Sequence, residues 1–394
     1  MNQIPLMILG DAPEQQSGLA RVARDLTTLI ATMPEFRVAT LGYGGLGCQR
    51  LPWQQYHMQP GEFGERSLPA AWEDFSEGAR GVVLTTYDLH RVLWLARPEW
   101  IEDQQLRSWT QAMRQSEALK VWSYVPIDAT GPQGRLTGMA RDVLMGIDRV
   151  LAFTPWSLQQ VAATIGVDEA ARRNAQWLPH SCDTTVYTIR QNSATGSVKR
   201  VGCVMTNQTR KDWGTVAAMS RGLVDKLGAD AVRFWWHSDV PERHWSLAAL
   251  VADYELTEHV DVTCDTASDA TIAERIAACD LTILPSSEGF GLTIFESLAC
   301  GVPCLHGAYA GGASLLQSFG LEQMLIEPIA YRIEGVHNSL RPVFDAADWV
   351  EAAIDMLETP PDPAWLRARV SHLDMRLLGH RWKQWLREGV ANAK

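Results

Sequence analysis

The chain has 394 residues, 46% hydrophobic and 21% charged, which is enough for two ordinary domains and outside the range of a disordered or fibrous protein. A net charge of −11 leaves no broad electrostatic footprint for nucleic acid, and seven scattered cysteines without a C-x-x-C pair exclude a disulfide framework or a cysteine zinc site. No apolar run approaches membrane-spanning length, and the first ten residues lack a basic start and long apolar core, so a cytoplasmic protein without an integral membrane segment is expected.

Ile4 to Leu9 is a short apolar strand, the loop to Gly18 follows, and Leu19 to Met33 has helical periodicity. Strand, glycine-containing loop and helix at the start of a chain is the opening of a doubly wound sheet. G-x-G-x-x-G is absent, so no dinucleotide fingerprint is read; Gly18 permits close backbone approach at the helix start, or serves a simple tight turn. Phe36 to Leu41 is the next strand and ends in the glycine-rich Gly42 to Gly47, a loop of the kind that also binds phosphates but that runs here into a polar stretch rather than a helix. Residues 48–79 read as irregular, with three prolines among aromatics.

Gly81 to Thr86 is a strand ending near Asp88 and His90, and helices broken near Pro98 fill Trp94 to Leu119. Val121 to Asp128 is a strand closed by a carboxylate. Asp88 and Asp128, carboxylates at strand ends, suit orienting a substrate hydroxyl and capping a loop equally well. Asp148 to Thr154 is a further strand, and Pro155 opens a helix that ends near Gly166. The small, polar stretch from Gln191 to Ser197 reads as a linker.

The alternation then restarts. Arg200 to Met205 is a strand followed by Asn207-Gln-Thr-Arg210-Lys211, where two cations end a loop. A helix from about Gly214 to Leu227, a strand from Arg233 to His237, a variable stretch to Thr263 and a helix from Ala270 to Ala278 come next. The densest signal is Leu281 to Leu305. It reads as a buried strand at Leu281–Leu284, a loop with Glu288, Gly289, Phe290 and Gly291, a helix from Leu292 to Cys300 containing Thr293 and Glu296, and a new strand after Gly301 and Pro303. Ligands of such sheets bind beyond the strand carboxyl ends, and a helix start favours a phosphate. Flanking carboxylates suit sugar or ribose hydroxyls, although each Glu taken alone reads more readily as a solvated charge. The tail from Trp365 to Trp385 is expected as an amphipathic helix.

The pair Glu288 and Glu296 with the intervening Gly-Phe-Gly-Leu resembles the signature of retaining glycosyltransferases of family 4 (glycosyltransferase group 1), which have the GT-B fold. Pro179-His-Ser-Cys-Asp183 resembles a further family segment, with Ser181 and Ile189 standing where Gly and Pro are usual. The resemblance implies an α/β protein of two Rossmann-like domains facing an interdomain cleft: residues 1–192 on the acceptor side, with a returning helix at about 373–394, and residues 197–372 on the nucleotide-sugar side. Gly18 would then face the donor diphosphate, Glu288 the donor sugar, and Glu296 the ribose. Residues 289–293 would reach the sugar and diphosphate through the backbone. Arg210 and Lys211, otherwise two solvated loop cations, would stabilise the leaving diphosphate in place of a metal. Asp128 stands where the family often has a His, and Asp88 and His90 remain acceptor-side candidates.

The expected activity is metal-independent, retaining transfer of a hexosyl or pentosyl group from a UDP-, GDP- or ADP-sugar, with no other cofactor. The acceptor would be a glycan, a lipid or a modified DNA base. Of the 17 cations before residue 191, 16 are Arg, and the chain has 16 Trp, both compatible with a phage-type enzyme acting on a hydroxymethylated pyrimidine. A catalytically silent nucleotide-sugar-binding subunit is the reading of another class, and a phosphorylase on the same fold would need pyridoxal phosphate.

Overall fold

Seven parallel strands build the first of two parallel sheets, whose central strands follow from runs apolar enough to be buried on both faces. The computed structural model describes residues 3–45, 51–190 and 198–391. The linker expected at Gln191–Ser197 and the end of the Gly42–Gly47 loop lie outside the described residues. The chain divides into Met1–His180 with Leu378–Lys394, and Ser181–Leu377.

In the first unit β1 (Ile4–Asp11) is buried from Pro5 onward. It leads through Ser17, which caps α1 (Gly18–Ala31) by accepting from the Ala20 N–H at 3.0 Å. Buried Ala20, Ala23, Leu26, Thr27 and Ile30 form the helix's inner stripe. β2 (Phe36–Tyr43) pairs in parallel with β1, from Ile4 opposite Phe36 to Asp11 opposite Tyr43.

The stretch expected to be irregular contains an edge strand, β3 (Gln54–His57), and a helix, α2 (Leu68–Ser76). β3 is half-exposed and has no apolar run to betray it. In α2 the buried Leu68, Ala71, Trp72 and Phe75 do have helical spacing, and Pro69, tolerated in a first turn, hid it.

β4 (Gly81–Thr85), α3 (Leu93–Ala96), α4 (Gln104–Gln115), β5 (Leu119–Val125), α5 (Gly138–Gly146), β6 (Arg149–Ala152), α6 (Pro155–Ile165), α7 (Val167–Arg172) and β7 (Gln176–Trp177) complete the unit. The strand expected over Val121–Asp128 starts at Leu119 and stops at Val125, because Pro126 has no N–H for the ladder. The strand order is β3-β2-β1-β4-β5-β6-β7.

The second unit repeats the plan with β8 (Lys199–Val204), α8 (Trp213–Leu227), β9 (Val232–His237), α9 (Leu247–Asp253), β10 (Val260–Thr263), α10 (Asp269–Ala277), β11 (Leu281–Leu284), α11 (Leu292–Ala299), β12 (Cys304–Gly307), α12 (Ala310–Ser318) and β13 (Leu325–Ile326). Its order is β10-β9-β8-β11-β12-β13. Both sheets therefore have the order of doubly wound folds, reversing between β1 and β4 and between β8 and β11. A separate antiparallel hairpin, β14 (Ala330–Glu334) and β15 (Ser339–Val343), precedes α13 (Ala346–Glu358).

The tail is two helices rather than one, α14 (Pro363–Val370) and α15 (Met375–Ala391). Asp374 makes the break: its carboxylate accepts from the Arg376 N–H at 2.9 Å and from the Thr184 N–H and hydroxyl at 3.1 and 2.7 Å. The part of α15 from Leu378 belongs to the first unit. There Trp382 meets Tyr124 edge-on at 4.7 Å, and Trp385 meets Trp122 at 5.3 Å. The Arg149 guanidinium lies 5.4 Å from the Trp122 ring centroid and 4.3 Å from that of Trp385, and donates to the Trp385 carbonyl at 2.5 Å. Burial lowers the Arg149 pKa to about 10, against the opposing pull of Glu388.

Gly389 allows this approach. A Cβ there would stand 2.2 Å from Arg149 Nη1 and 2.3 Å from the Trp122 ring. Gly389→Ala should therefore lower stability by about 1–3 kcal/mol through overpacking. Gly138→Ala, whose Cβ would meet nothing within 4 Å, is the control and should be neutral or slightly stabilising. Urea midpoints of the two variants against wild type measure the difference.

Candidate active site

The switch point of the second sheet gathers its charged residues. β8 and β11 are neighbours, so the segments leaving their carboxyl ends meet. After β8 the chain is held by Asn207, which is fully buried. Its N–H donates to Asp239 at 2.6 Å, and its side-chain amide donates to the Trp245 carbonyl at 2.8 Å. Its side-chain oxygen accepts from the N–H groups of His244 and Trp245 at 3.2 and 3.0 Å. This web fixes a one-turn 3-10 helix, Thr209–Lys211, at whose end Asp212 adopts a positive φ of 46° and caps α8.

Lys211 is thereby buried against Glu288, and its ammonium donates to Oε1 of that carboxylate. Ser286 donates to the same oxygen at 2.6 Å, and Arg210 Nη1 lies 3.8 Å from the other. Arg210 also donates to the Ser287 carbonyl at 2.9 Å. On the far side the Glu288 backbone forms a bridge with Ala310, and its carbonyl accepts from the Gly312 N–H at 3.0 Å. Burial alone would raise the Glu288 pKa. The Lys211 and Arg210 cations and the hydrogen bonds from Lys211 and Ser286 outweigh it and hold the carboxyl at about 2.

The glycine loop completes the edge. Gly291 takes a φ of 89°, open to glycine, and its carbonyl accepts from the Ile294 N–H to start α11. Phe290 is buried against Phe295 at 4.8 Å, and Thr293 donates to the Val204 carbonyl at 3.3 Å. Glu296 is buried in α11. The structure thus brings Arg210, Lys211 and Glu288 together, with residues 289–293 and Glu296 following directly.

Three residues at this edge escaped the sequence reading. Ser286 and Ser287 are buried hydrogen-bonding partners of the charged set. His306 is fully buried with Nδ1 at 3.0 Å from the Leu284 carbonyl, and burial lowers its pKa to about 4 despite the attraction of Glu288. A buried serine has no distinguishing sequence pattern, but a histidine closing the apolar run Val302–Leu305 was a visible anomaly.

In the first unit Gly18 opens α1, next to Ser17, whose hydroxyl donates to Asp11 at 2.5 Å. Asp88 follows β4 and lies 3.8 Å from Arg91, which also lies 3.7 Å from Asp11. Arg91 stacks on Phe63 and Tyr87 at 4.8 and 5.2 Å. His90 is in the short helical turn after Asp88, and Asp128 is in the segment after β5, the strand beside β4. Asp11 and Arg91 are additions to the sequence-derived set.

Two Rossmann-ordered sheets in one chain define the GT-B glycosyltransferase fold, and solved structures agree along the whole length. The sucrose-phosphate synthase of Thermosynechococcus elongatus superposes with a TM-score of 0.72 at 17% identity, covering 99% of this chain and 100% of that one. Anabaena HepE, in complex with UDP and glucose, gives 0.64 at 13% identity, covering 98% and 99%. An E. coli structure described as trehalose-6-phosphate bound with UDP-2-fluoro glucose gives 0.64 at 11%, covering 98% of each. Residues 231–388 match the model of the family described as Family 4 Glycosyltransferase in conflict systems. No curated protein matches it by sequence. Among the described residues, no helix is long and apolar enough to cross a membrane.

The buried ionisable groups make the fold sensitive to acid in two windows. His306 titrates lower in the folded chain than its ordinary 6.5, so the unfolded chain binds its proton first and stability falls from pH 6.5 to about 4. Glu288, lowered from 4.5, contributes stability that is full above pH 4.5 and lost as pH falls to about 2. Urea midpoints measured from pH 7 to pH 3 should decline through both windows, and His306→Gln should shrink the upper one, leaving the part due to His237, whose pKa burial also lowers.

Proposed function

We propose that the chain transfers a sugar from a nucleoside diphosphate donor to an acceptor hydroxyl with retention of anomeric configuration. The donor would bind on the unit around residues 197–372, and the acceptor on the first unit, with Asp88, His90 and Asp128 as the candidates to orient it. The observation that carries this reading is the convergence of Arg210 and Lys211 on Glu288 beside the Gly289–Thr293 loop, at the switch point of the second sheet.

Each residue then has a chemical task. Cleavage of the sugar–oxygen bond leaves charge on the diphosphate, which Arg210 and Lys211 stabilise as it grows. The acceptor oxygen bonds to the anomeric carbon on the face the diphosphate leaves, and the acceptor proton passes to the departing phosphate oxygen. No protein base is required. Glu288, ionised over the whole working pH range, accepts from a donor-sugar hydroxyl, and Glu296 accepts from the ribose diol. Gly18, which opens α1, is a further candidate to contact the diphosphate. The two fixed cations stand in for a divalent ion. The uridine nucleotides bound to HepE and to the E. coli structure support a UDP-sugar as the first donor to test.

Purified protein should release UDP, GDP or ADP from one sugar nucleotide when supplied with the right acceptor among glycans, lipids and modified DNA, and EDTA should not slow it. Arg210→Ala or Lys211→Ala should lower kcat about 10²–10³-fold with a smaller change in donor KM. Glu296→Ala should weaken donor binding about tenfold in calorimetry. An inverted product, or activity abolished by the chelator, would overturn the reading.

A further inference from the structure

The hairpin of β14 and β15 takes no part in either parallel sheet, yet it reaches the charged edge. Two contacts anchor it. The Tyr309 hydroxyl, just beyond β12, donates to the Leu340 carbonyl at 2.9 Å. Phe344, which follows β15, is buried edge-on against Trp349 at 5.5 Å and fills the space beside Gly307, where a Cβ would stand 2.2 Å from its ring.

The hairpin register sets Arg332 directly opposite Arg341. Like charges in opposed positions repel, and here the two guanidiniums engage different partners. Arg332 is held by Glu334, at 2.8 and 3.1 Å. Arg341 donates to the Ser287 hydroxyl at 2.5 Å. Ser287 is buried, and its carbonyl already accepts from Arg210. The residue immediately before Glu288 is therefore gripped at its side chain by Arg341 and at its backbone by Arg210, while Lys211 holds Glu288 itself.

We propose that Arg341 is a positioning residue for the transfer reaction: through Ser287 it fixes the Ser286–Gly291 loop, and with it the Glu288 carboxylate, in the geometry that the donor sugar meets. The inference rests on the functional reading above. Arg341 acts through Ser287, and its hydrogen bond is charge-assisted, the strong kind. Loss of such a contact costs about tenfold or more in an equilibrium, and small displacements of a substrate-positioning group cost rate rather than affinity.

Arg341→Ala, Arg341→Lys, Ser287→Ala and the Arg341→Ala/Ser287→Ala double variant test this, with two readouts on each. The first is donor turnover split into kcat and KM; the second is amide hydrogen exchange of residues 286–291. Arg341→Ala should lower kcat about tenfold with little change in KM and speed exchange of the loop about tenfold. Lysine should restore part of both, and the double variant should be no worse than Arg341→Ala. Unchanged loop exchange in Arg341→Ala, a wild-type kcat, or additive losses in the double variant would each overturn the proposal. If the wild-type protein turns over no sugar nucleotide with any acceptor, the functional reading fails instead, and the exchange measurement alone decides whether Arg341 holds the loop.

Discussion

The buried contact between Lys211 and Glu288 is the constraint on which the second unit's edge depends. Two charges taken out of water are costly unless they face each other and their remaining valences are filled. Here the valences are filled by neighbours whose own positions are fixed: Ser286 donates to the carboxylate, and the Gly312 N–H donates to the Glu288 carbonyl. The pair joins residues 77 positions apart, so it forms only when β8 and β11 are side by side. Fold and charge arrangement are thus one requirement, since any slip of that strand pair would leave two unpartnered charges inside the protein.

This arrangement also explains why so much uncharged structure surrounds so few charged atoms. The 3-10 turn that presents Arg210 and Lys211 is not held by packing alone. The side chain of Asn207 satisfies the backbone of the His244–Trp245 segment, and the Trp245 indole donates to the Gln208 carbonyl at 3.1 Å. Cations stabilise a developing charge best when they do not have to move to meet it. In the transfer proposed above, the hydrogen bonds of Asn207 would therefore contribute to chemistry without any atom of Asn207 entering it.

Much of this was legible in the sequence, for a physical reason. Strands buried on both faces, such as β1, β4 and β11, must be continuous apolar runs, and helices such as α6 and α8 begin and end at recognisable punctuation. The strand–loop–helix around Glu288 was readable because glycine, carboxylate and apolar positions each have a local cause. What escaped was set by long-range neighbours. β3 and β10 are edge strands with partly exposed residues: β3 carries no apolar run, and the alternating Val260–Thr263 of β10 is only four residues long. Arg341 lies 54 positions beyond Ser287, in a hairpin whose two strands pair only with each other. The contact exists only after Phe344 has seated beside Gly307, and no local rule connects those positions.

The aromatic clamp of Trp382, Trp385, Trp122 and Arg149 has a consequence for how the protein is made. The first sheet is assembled from residues that leave the ribosome before the second unit, but the helix that covers Trp122 and Tyr124 emerges only after that unit. Folding in the order of synthesis cannot finish the first unit, which must wait with an uncovered aromatic face while the second is translated. A ribosome that stops anywhere before Trp382 releases a chain whose earlier domain is incomplete, so quality control can recognise a truncated product by its first half.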